Sequence, residues 1–172
     1  FYLQLELLIR KKLTAIKHHG FVFKEVGTLF NTFYKDKLPF QLTNAQKKVI
    51  KEIRKDFLSG EHMNRLLQGD VGSGKTLVAL MTMLLAADNG YQAAIMAPTE
   101  ILATQHFESL TEFLNDLPIR VSLLTGSTKK SQRKILHEGL ENGEIHILVG
   151  THALLEDTVK FKNIGLVVID EQ

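Results

Sequence analysis

The sequence contains no cysteine, only three prolines and no long hydrophobic run. The absence of cysteine excludes a disulfide framework, a thiolate metal site and a cysteine nucleophile, and it suits a reducing cytosol. The longest nearly uninterrupted apolar stretch covers residues 77–87, contains Thr82 and is too short to cross a bilayer. The basic cluster at residues 10–12 follows apolar residues instead of preceding them, which is not the order found in a signal peptide. We therefore expect no membrane partner.

The composition is typical of a globular chain with one sizeable core. Of the 172 residues, 44% are hydrophobic and 23% are charged. The net charge is only +2, but residues 1–62 carry 12 Lys and Arg against 6 Asp and Glu, and the rest of the chain is acidic. This basic first part fits contact with nucleic acid and the solvated faces of surface helices equally well. The chain begins with Phe1 and not with Met, so we interpret it as an internal piece of a longer protein.

Hydrophobic periodicity predicts two helices in the first part of the chain. Residues 1–19 repeat apolar side chains at helical spacing, and a second amphipathic helix begins at Thr43 and runs to about Leu58. Its predicted buried side chains are Val49, Ile50, Ile53 and Phe57, with Ser59-Gly60 as its end. Residues 21–38 have a mixed pattern that ends in Leu38-Pro39, which indicates a linker.

From Met63 onward, short apolar runs alternate with helical stretches. This alternation predicts crossover units and a parallel sheet covered by helices. The run 166–169 has no polar alternation, as expected of a central strand. The predicted strands lie near 65–68, 93–97, 121–124, 145–149 and 166–169, and the predicted helices near 75–88, 100–115, 129–141 and just after His152.

Residues 69–76, GDVGSGKT, match the phosphate-binding P-loop pattern completely. They follow a predicted strand and open a predicted helix, which is the context that this pattern requires. The glycines let successive N–H groups face a phosphate, and the helix directs its positive dipole end at the same place. Lys75 adds a charge at the β- and γ-phosphates, and the Thr76 hydroxyl is a ligand for Mg²⁺.

A P-loop needs an acidic partner for its metal, and Asp170 ends the apolar run 166–169. A carboxylate at that strand end can hold Mg²⁺, and the adjacent Glu171 can polarise an attacking water. Upstream of the P-loop, Gln46 has two interpretations that spacing alone leaves open. Its amide can contact an adenine edge, and Thr43-x-x-Gln46 is also a capping box for the second helix.

Three short clusters follow predicted strand ends: Pro98-Thr99-Glu100, Thr125-Gly126-Ser127 and Gly150-Thr151-His152. Singly each is an ordinary helix N-cap, but together they suggest a surface that follows a nucleic-acid strand. We interpret Lys129, Lys130, Arg133 and Lys134 as a solvated helix face. The seven histidines show no metal-ligand spacing, so we expect no histidine metal site.

These residues resemble the first motor domain of superfamily 2 DNA helicases, and most closely the RecG family of bacterial ATP-dependent DNA helicases. The resemblance covers essentially the whole chain. It depends on the strings LPFQLTNAQ (38–46), MNRLLQGDVGSGKT (63–76), MAPTEILATQH (96–106), LLTGS (123–127), VGTHALL (149–155) and VVIDEQ (167–172).

The resemblance implies an α/β fold of the RecA-like P-loop NTPase type, preceded by an N-terminal helical segment. It implies ATP and Mg²⁺ as cofactors, with Lys75 and Glu171 as catalytic residues and Thr76 and Asp170 as metal ligands. It places Gly69, Gly72, Ser73, Gly74, Lys75, Thr76, Gln46 and Phe40 at ATP, and Pro98, Thr99, Thr125, Gly126, Thr151 and His152 near the DNA path.

The family acts on branched DNA such as stalled forks, in replication restart and recombinational repair, and so in the bacterial cytoplasm at the nucleoid. By the resemblance, residues 1–38 are a helical linker and residues 39–172 are the first RecA-like domain, truncated just after its Walker B motif. A second RecA-like domain and an N-terminal wedge domain would then be missing partners. We expect the 172 residues alone to bind nucleotide weakly at most and to be inactive as a motor.

Three other functions remain open at this point. A transcription-repair coupling factor has a similar motor, but there an aromatic residue is expected at Ser73 and a second Glu at Gln172. A P-loop kinase gives no reason for the clusters at 98–100 and 150–152. A non-enzymatic ATP-binding module is the third alternative.

Overall fold

The computed structural model describes residues 20–38 and 40–170 of the chain. These residues fall into two compact units, one containing residues 20–24 and 42–78 and the other containing residues 25–41 and 79–170. The predicted helix over residues 1–19 lies outside the described residues. The domain boundary near residue 38 stays a prediction.

The order of elements is that of an α/β protein. None of the helices in the described part of the chain is long and apolar enough to span a membrane. In chain order, the elements are α1 (Thr28–Thr32), a π-helical turn (Phe33–Lys37), α2 (Asn44–Ser59), α3 (Lys75–Asp88), β1 (Gln92–Met96), α4 (Glu100–Phe113), β2 (Val121–Leu124), α5 (Lys130–Asn142), β3 (Ile147–Gly150), a 3₁₀ helix (His152–Leu155) and β4 (Ile164–Ile169).

In the first unit, α2 begins and ends where its sequence signals predict. The Thr43 side chain accepts the Gln46 N–H, and Gln46 reaches back to the Thr43 N–H, so the capping box is confirmed. Gly60 ends the helix in the left-handed conformation at φ 73°. The Phe57 ring packs on Phe23 with centroids 4.5 Å apart, and Ile50 and Ile53 are buried on the same face as Phe57.

The predicted strand at residues 65–68 is wrong, because this segment has no regular secondary structure and pairs with no strand among the described residues. Its arginine is instead held by α2: Arg65 Nη1 lies 2.8 Å from Glu52 Oε2, and Arg65 Nη2 lies 2.7 Å from Asp56 Oδ2. The hydrogen bond to Asp56 raises the pKa of Arg65. Leu66 is 80% exposed, so this short segment lacks the packed face that stabilises a strand.

The second unit contains a parallel sheet of four strands in the order β2-β3-β1-β4, which confirms the predicted sheet type. In the register, Met96 of β1 stands beside Gly150 of β3 and Ile169 of β4, while Leu124 of β2 also stands beside Gly150. The parallel ladder therefore brings the carboxyl ends of all four strands to one edge. Large apolar side chains fill the core of this unit, among them Leu80, Met81, Leu84, Ile95, Leu110, Leu124, Leu140, Ile147 and Leu148.

Strand β4 is an edge strand of the described sheet, so its predicted central position is wrong. Leu166 is buried, but Val167 and Ile169 are each 55% exposed. Its run of apolar residues is typical of a strand covered on both faces. Among the described residues only one face is covered, and composition alone could not distinguish these cases.

The short helix α1 is capped by a residue from far along the chain. Its N-cap position is Gly27, which has no side chain to cap with, and the carboxylate of Asp88 accepts the N–H groups of Gly27, Leu29 and Phe30, each at 3.0 Å. A Cβ at Gly27 would lie 2.5 Å from Asp88 Oδ1, so only glycine allows this approach. The segment that the sequence predicted as a linker is thus tied to the last residue of α3.

Replacing Asp88 with alanine should lower the free energy of unfolding by about 2 kcal/mol, since three backbone donors lose a charged acceptor. Urea denaturation followed by circular dichroism measures the change. Asp157→Ala is the matched control, because Asp157 is exposed and makes no hydrogen bond or ion pair with a described residue. Equal stability of the two variants would contradict the capping role.

His146 should make stability depend on pH. Burial lowers the pKa of this imidazole from its ordinary value of 6.5, and its Nδ1 accepts the Arg120 N–H at 3.1 Å, which requires an unprotonated nitrogen. The unfolded state binds the proton more tightly, so the stabilisation is complete above about pH 6.5 and is lost as the pH falls through the lower folded-state pKa.

His146→Asn keeps an acceptor at this position but does not titrate. We expect the variant to match the wild type near pH 8 and to lose less stability between pH 7 and pH 5 in parallel urea titrations. An unchanged pH profile would show that another group carries the dependence.

Candidate functional site

The P-loop at residues 69–76 occupies a turn that opens α3. Gly72 and Gly74 have φ values of 77° and 78°, in the left-handed region that favours glycine. The Ser73 N–H donates to the Asp70 carbonyl at 3.1 Å, and the Gly74 carbonyl accepts the first hydrogen bonds of α3 from Leu77 and Val78. The loop therefore leads directly into a helix N-terminus, where unpaired N–H groups and the helix dipole favour an anion.

Lys75 points back over its own loop. Its ammonium group donates to the carbonyl oxygens of Gly69 at 2.8 Å and Asp70 at 2.9 Å. These two neutral acceptors hold the charge at the mouth of the turn without neutralising it, so a phosphate oxygen can replace them. Thr76, on the first turn of α3, is half-buried. The loop thus combines a cation, a hydroxyl and helix N–H groups, which is the donor set that a nucleotide phosphate requires.

Gln46 connects α2 to this loop. Its Oε1 accepts the Thr43 N–H at 2.9 Å, and its Nε2 donates to the Ser73 carbonyl at 2.9 Å. The side chain is buried, and a Cβ at Gly74 would lie only 2.5 Å from its Nε2. Gly74 therefore leaves room for the Gln46 side chain and also adopts the positive φ. The predicted contact of Gln46 with adenine stays a prediction, as does that of Phe40, which is 55% exposed.

In the second unit, Asp170 stands at the carboxyl edge of the sheet. Its N–H continues the ladder by donating to the Met96 carbonyl at 2.8 Å. Its Oδ2 lies 2.7 Å from Nε2 of His106, a largely buried side chain on α4. The carboxylate is thus oriented by a partner and still partly open to solvent, as a metal-binding carboxylate must be. Glu171 lies outside the described residues.

His106 is a contact that the sequence analysis missed. It follows the cap residue Thr99 by seven positions, which is two helical turns, so it lies on the same side of α4 as the helix start. That spacing was available in the sequence. What the sequence did not show is that β4 pairs directly with β1, which brings Asp170 within reach of this helix.

The three hydroxyl clusters lie at the edge where Asp170 lies, which confirms their predicted placement on one side of one sheet. Thr99 caps α4 by accepting the Leu102 N–H at 3.2 Å. Thr151 follows β3, and its carbonyl accepts the Leu154 N–H at 3.0 Å. Pro98 and His152 are exposed. Their roles toward DNA stay predictions.

The turn after β2 is more internally bonded than its sequence indicated. Thr125 is buried, and its hydroxyl lies 2.9 Å from Ser127 Oγ. The carboxylate of Glu100 accepts both the Ser127 N–H at 3.1 Å and the Ser127 hydroxyl at 2.9 Å. A Cβ at Gly126 would lie 3.0 Å from the same carboxylate. Glu100 therefore joins the clusters after β1 and β2.

Arg133 is not a solvated residue, contrary to the prediction. Its guanidinium donates to the carbonyls of Thr128 at 3.2 Å and Thr125 at 3.0 Å, and it pairs with Glu156 at 2.7 Å. The planar group thus holds the turn after β2 against α5 and the segment after the 3₁₀ helix. An arginine can contact these three acceptors at once because its guanidinium holds several N–H donors in a fixed plane, which a lysine ammonium does not.

The chain matches the DEAD/DEAH box helicase family over residues 43–172. Among curated proteins, it is 51% identical over 172 residues to the ATP-dependent DNA helicase RecG of Aquifex aeolicus, covering 100% of this chain and 22% of that protein. It is 50% identical over 172 residues to the RecG protein of Synechocystis sp., again covering 100% of this chain and 21% of that protein. The chain therefore spans about a fifth of the length of these relatives.

Solved structures of helicases also match this chain. A structure of RecG bound to a three-way DNA junction matches with a TM-score of 0.87 and 50% identity, over 95% of this chain and 22% of that one. The helicase MrfA matches with a TM-score of 0.66 at 20% identity, over 86% of this chain and 24% of that one, and it supports the fold alone.

Gln46→Ala should destabilise the protein by about 1–2 kcal/mol, because the capping box and the Ser73 carbonyl both lose a partner. If Gln46 also contacts adenine, the same variant should lose preference for ATP over GTP. Binding of fluorescent ATP and GTP analogues measures that preference, beside urea denaturation. Thr43→Ala is the control, since it removes the cap but keeps the Gln46 amide. Lower stability with an unchanged base preference would leave Gln46 with a structural role only.

Proposed function

Because the chain belongs to the DEAD/DEAH box helicase family, we propose that it is the ATP-binding part of a DNA helicase that remodels branched DNA. The observation that carries this proposal is the P-loop, with Lys75 held at its mouth by two carbonyl oxygens. Identity near 50% with RecG proteins over the whole chain supports the branched-DNA substrate, since one such protein is solved on a three-way DNA junction. The same identity favours this function over a transcription-repair coupling factor.

In this function the first unit binds the nucleotide phosphates. Gly69, Gly72 and Gly74 give the loop its tight path, and the start of α3 presents N–H groups to the phosphates. Lys75 moves from the loop carbonyls to the β- and γ-phosphate oxygens, where its charge stabilises the charge that develops during transfer. The Ser73 hydroxyl is a further donor at the same turn.

Thr76 and Asp170 are the residues that we propose as holders of Mg²⁺, through a hydroxyl and a carboxylate oxygen. Bound Mg²⁺ neutralises phosphate charge. The chemistry of these donors suits a hard cation, and the His106 contact keeps the Asp170 carboxylate oriented at the sheet edge. Glu171 follows as the proposed base that orients and deprotonates the attacking water.

The DNA strand is proposed to follow the clusters after β1, β2 and β3. Pro98, Thr99 and Gly126 lie at the carboxyl edge with Thr151 and His152, as the parallel register requires. Thr125 is buried, so we assign it to shaping this turn around Gly126 and not to direct contact through its hydroxyl. Contacts of this kind hold a phosphate backbone without reading its sequence.

The complete activity is proposed to need partners beyond these residues. The RecG relatives are about five times as long as this chain, and we propose a second RecA-like domain and a wedge domain as the partners within the whole protein. The place of action is then the bacterial nucleoid. A neighbouring arginine can contribute about 10³–10⁵ to the rate of phosphoryl transfer, so the 172 residues alone should hydrolyse ATP very slowly.

Lys75→Ala should weaken ATP binding by about tenfold or more, because hydrogen bonds to charged groups contribute about 1.5–3 kcal/mol each. Titration with a fluorescent ATP analogue measures the affinity, and Lys160→Ala, at an exposed lysine outside the P-loop, is the control. In a protein that also carries the second motor domain, forked DNA should stimulate ATP hydrolysis more than linear duplex, and Lys75→Ala should abolish the stimulation. Wild-type affinity in the variant would contradict the phosphate site, and equal stimulation by both DNAs would contradict the branched substrate.

A further inference from the structure

Helix α2 carries a row of positive side chains on the face opposite its buried residues. Lys47, Lys51 and Lys55 repeat at intervals of four, so they form one row along the helix that is about 12 Å long. Lys48 and Arg54 lie beside it. Lys47 is half-buried, and the other four cations are exposed. We call these five residues the α2 cation row.

The acidic residues of the helix do not balance this row. Glu52 and Asp56 are the two acidic residues of α2, and both are engaged by Arg65 at 2.8 Å and 2.7 Å. Among the described residues, no carboxylate forms an ion pair with any member of the α2 cation row. Arg65 thus neutralises the acidic border of the helix and leaves the row as uncompensated positive charge.

The row also acts against the stability of its own helix. Like charges at positions i and i+4 repel one another, which applies to the pairs Lys47–Lys51 and Lys51–Lys55. Lys47 and Lys48 lie near the N-terminus of α2, where the helix dipole disfavours cations, and the first turn has no acidic residue. A bound polyanion would relieve both costs.

We propose that the α2 cation row binds the phosphate backbone of double-stranded DNA, as a contact additional to the loops at the sheet edge. An open groove of about 460 Å³ runs along the row, lined by Asn44, Lys47, Lys48, Lys51, Glu52 and Lys55. None of the described residues that line it is aromatic, whereas surfaces for single strands combine positive charge with aromatic rings that stack on bases. A straight row of cations suits the dense, regular charge of a duplex. This inference depends on the proposed action on DNA.

The test is the salt dependence of binding to an unbranched 20-base-pair duplex, measured by fluorescence anisotropy on the purified protein. Each phosphate contact adds about 0.9 to the slope of log K against log salt concentration for duplex DNA. The triple variant Lys48→Gln/Lys51→Gln/Lys55→Gln should therefore reduce the slope by about 2 to 3. The control is Lys24→Gln/Lys35→Gln/Lys160→Gln, which removes the same charge from exposed lysines elsewhere and should leave the slope nearly unchanged.

Each outcome has a separate meaning. Equal slopes in the triple and control variants would overturn the duplex contact, as would a larger loss for single-stranded oligo-dT than for duplex. A wild-type protein that binds no DNA at all would overturn the proposed function itself. Circular dichroism should show α2 intact in the triple variant, because the substitutions remove repulsion between like charges. Retained binding of the fluorescent ATP analogue would show that the P-loop is unaffected.

Discussion

All four strands of the described sheet run in the same direction, and this constraint decides where the loops of the second unit lie. A parallel strand cannot return through a tight turn, so each must be followed by a crossover that begins at the same edge. The register shows this common edge directly, because Met96 pairs with Gly150 on one side and with Ile169 on the other. The segments after β1, β2, β3 and β4 therefore share one edge, and contacts such as Glu100 with Ser127 and His106 with Asp170 follow from that placement.

In the first unit, the position of the P-loop depends on a close approach between the Gln46 side chain and the loop backbone. The Gln46 amide bonds at one end to the start of α2 and at the other to the Ser73 carbonyl. This arrangement requires the absence of a Cβ at Gly74, and the same residue supplies the positive φ that turns the loop into α3. Two separate physical constraints therefore favour glycine at position 74. The Gln46 side chain therefore links the cap of α2 to the P-loop through the Ser73 carbonyl.

The elements that depend on local sequence could be predicted, and those that depend on distant partners could not. Capping residues and hydrophobic periodicity predicted the ends of α2 and α3 to within about one residue. The strand at 65–68 was wrong because a strand exists only through its neighbour, and Arg65 is bound instead by two carboxylates of α2. Asp88, His106 and Arg133 were missed for the same reason, since each joins segments separated by many residues. The hydrogen bonds of the Gln46 capping box could be predicted from spacing, whereas the contacts of Lys75, Asp170 and Thr125 could not.

The chain uses its positive charges in two different ways, and the geometry of the groups explains the division. Arg65 and Arg133 each form several hydrogen bonds at once, which a planar guanidinium can do with little loss of freedom. These arginines bind groups of the protein itself and hold its turns and helices. The lysines of the α2 cation row form no such contacts with described residues, and their compact, hydrated charges stay available to an external anion. Removing an arginine of the first kind must therefore disturb the local structure, whereas neutralising the lysines changes the surface potential and leaves the fold in place. Because the two kinds of charge lie on different residues, structural and binding effects of positive charge can be separated in this protein.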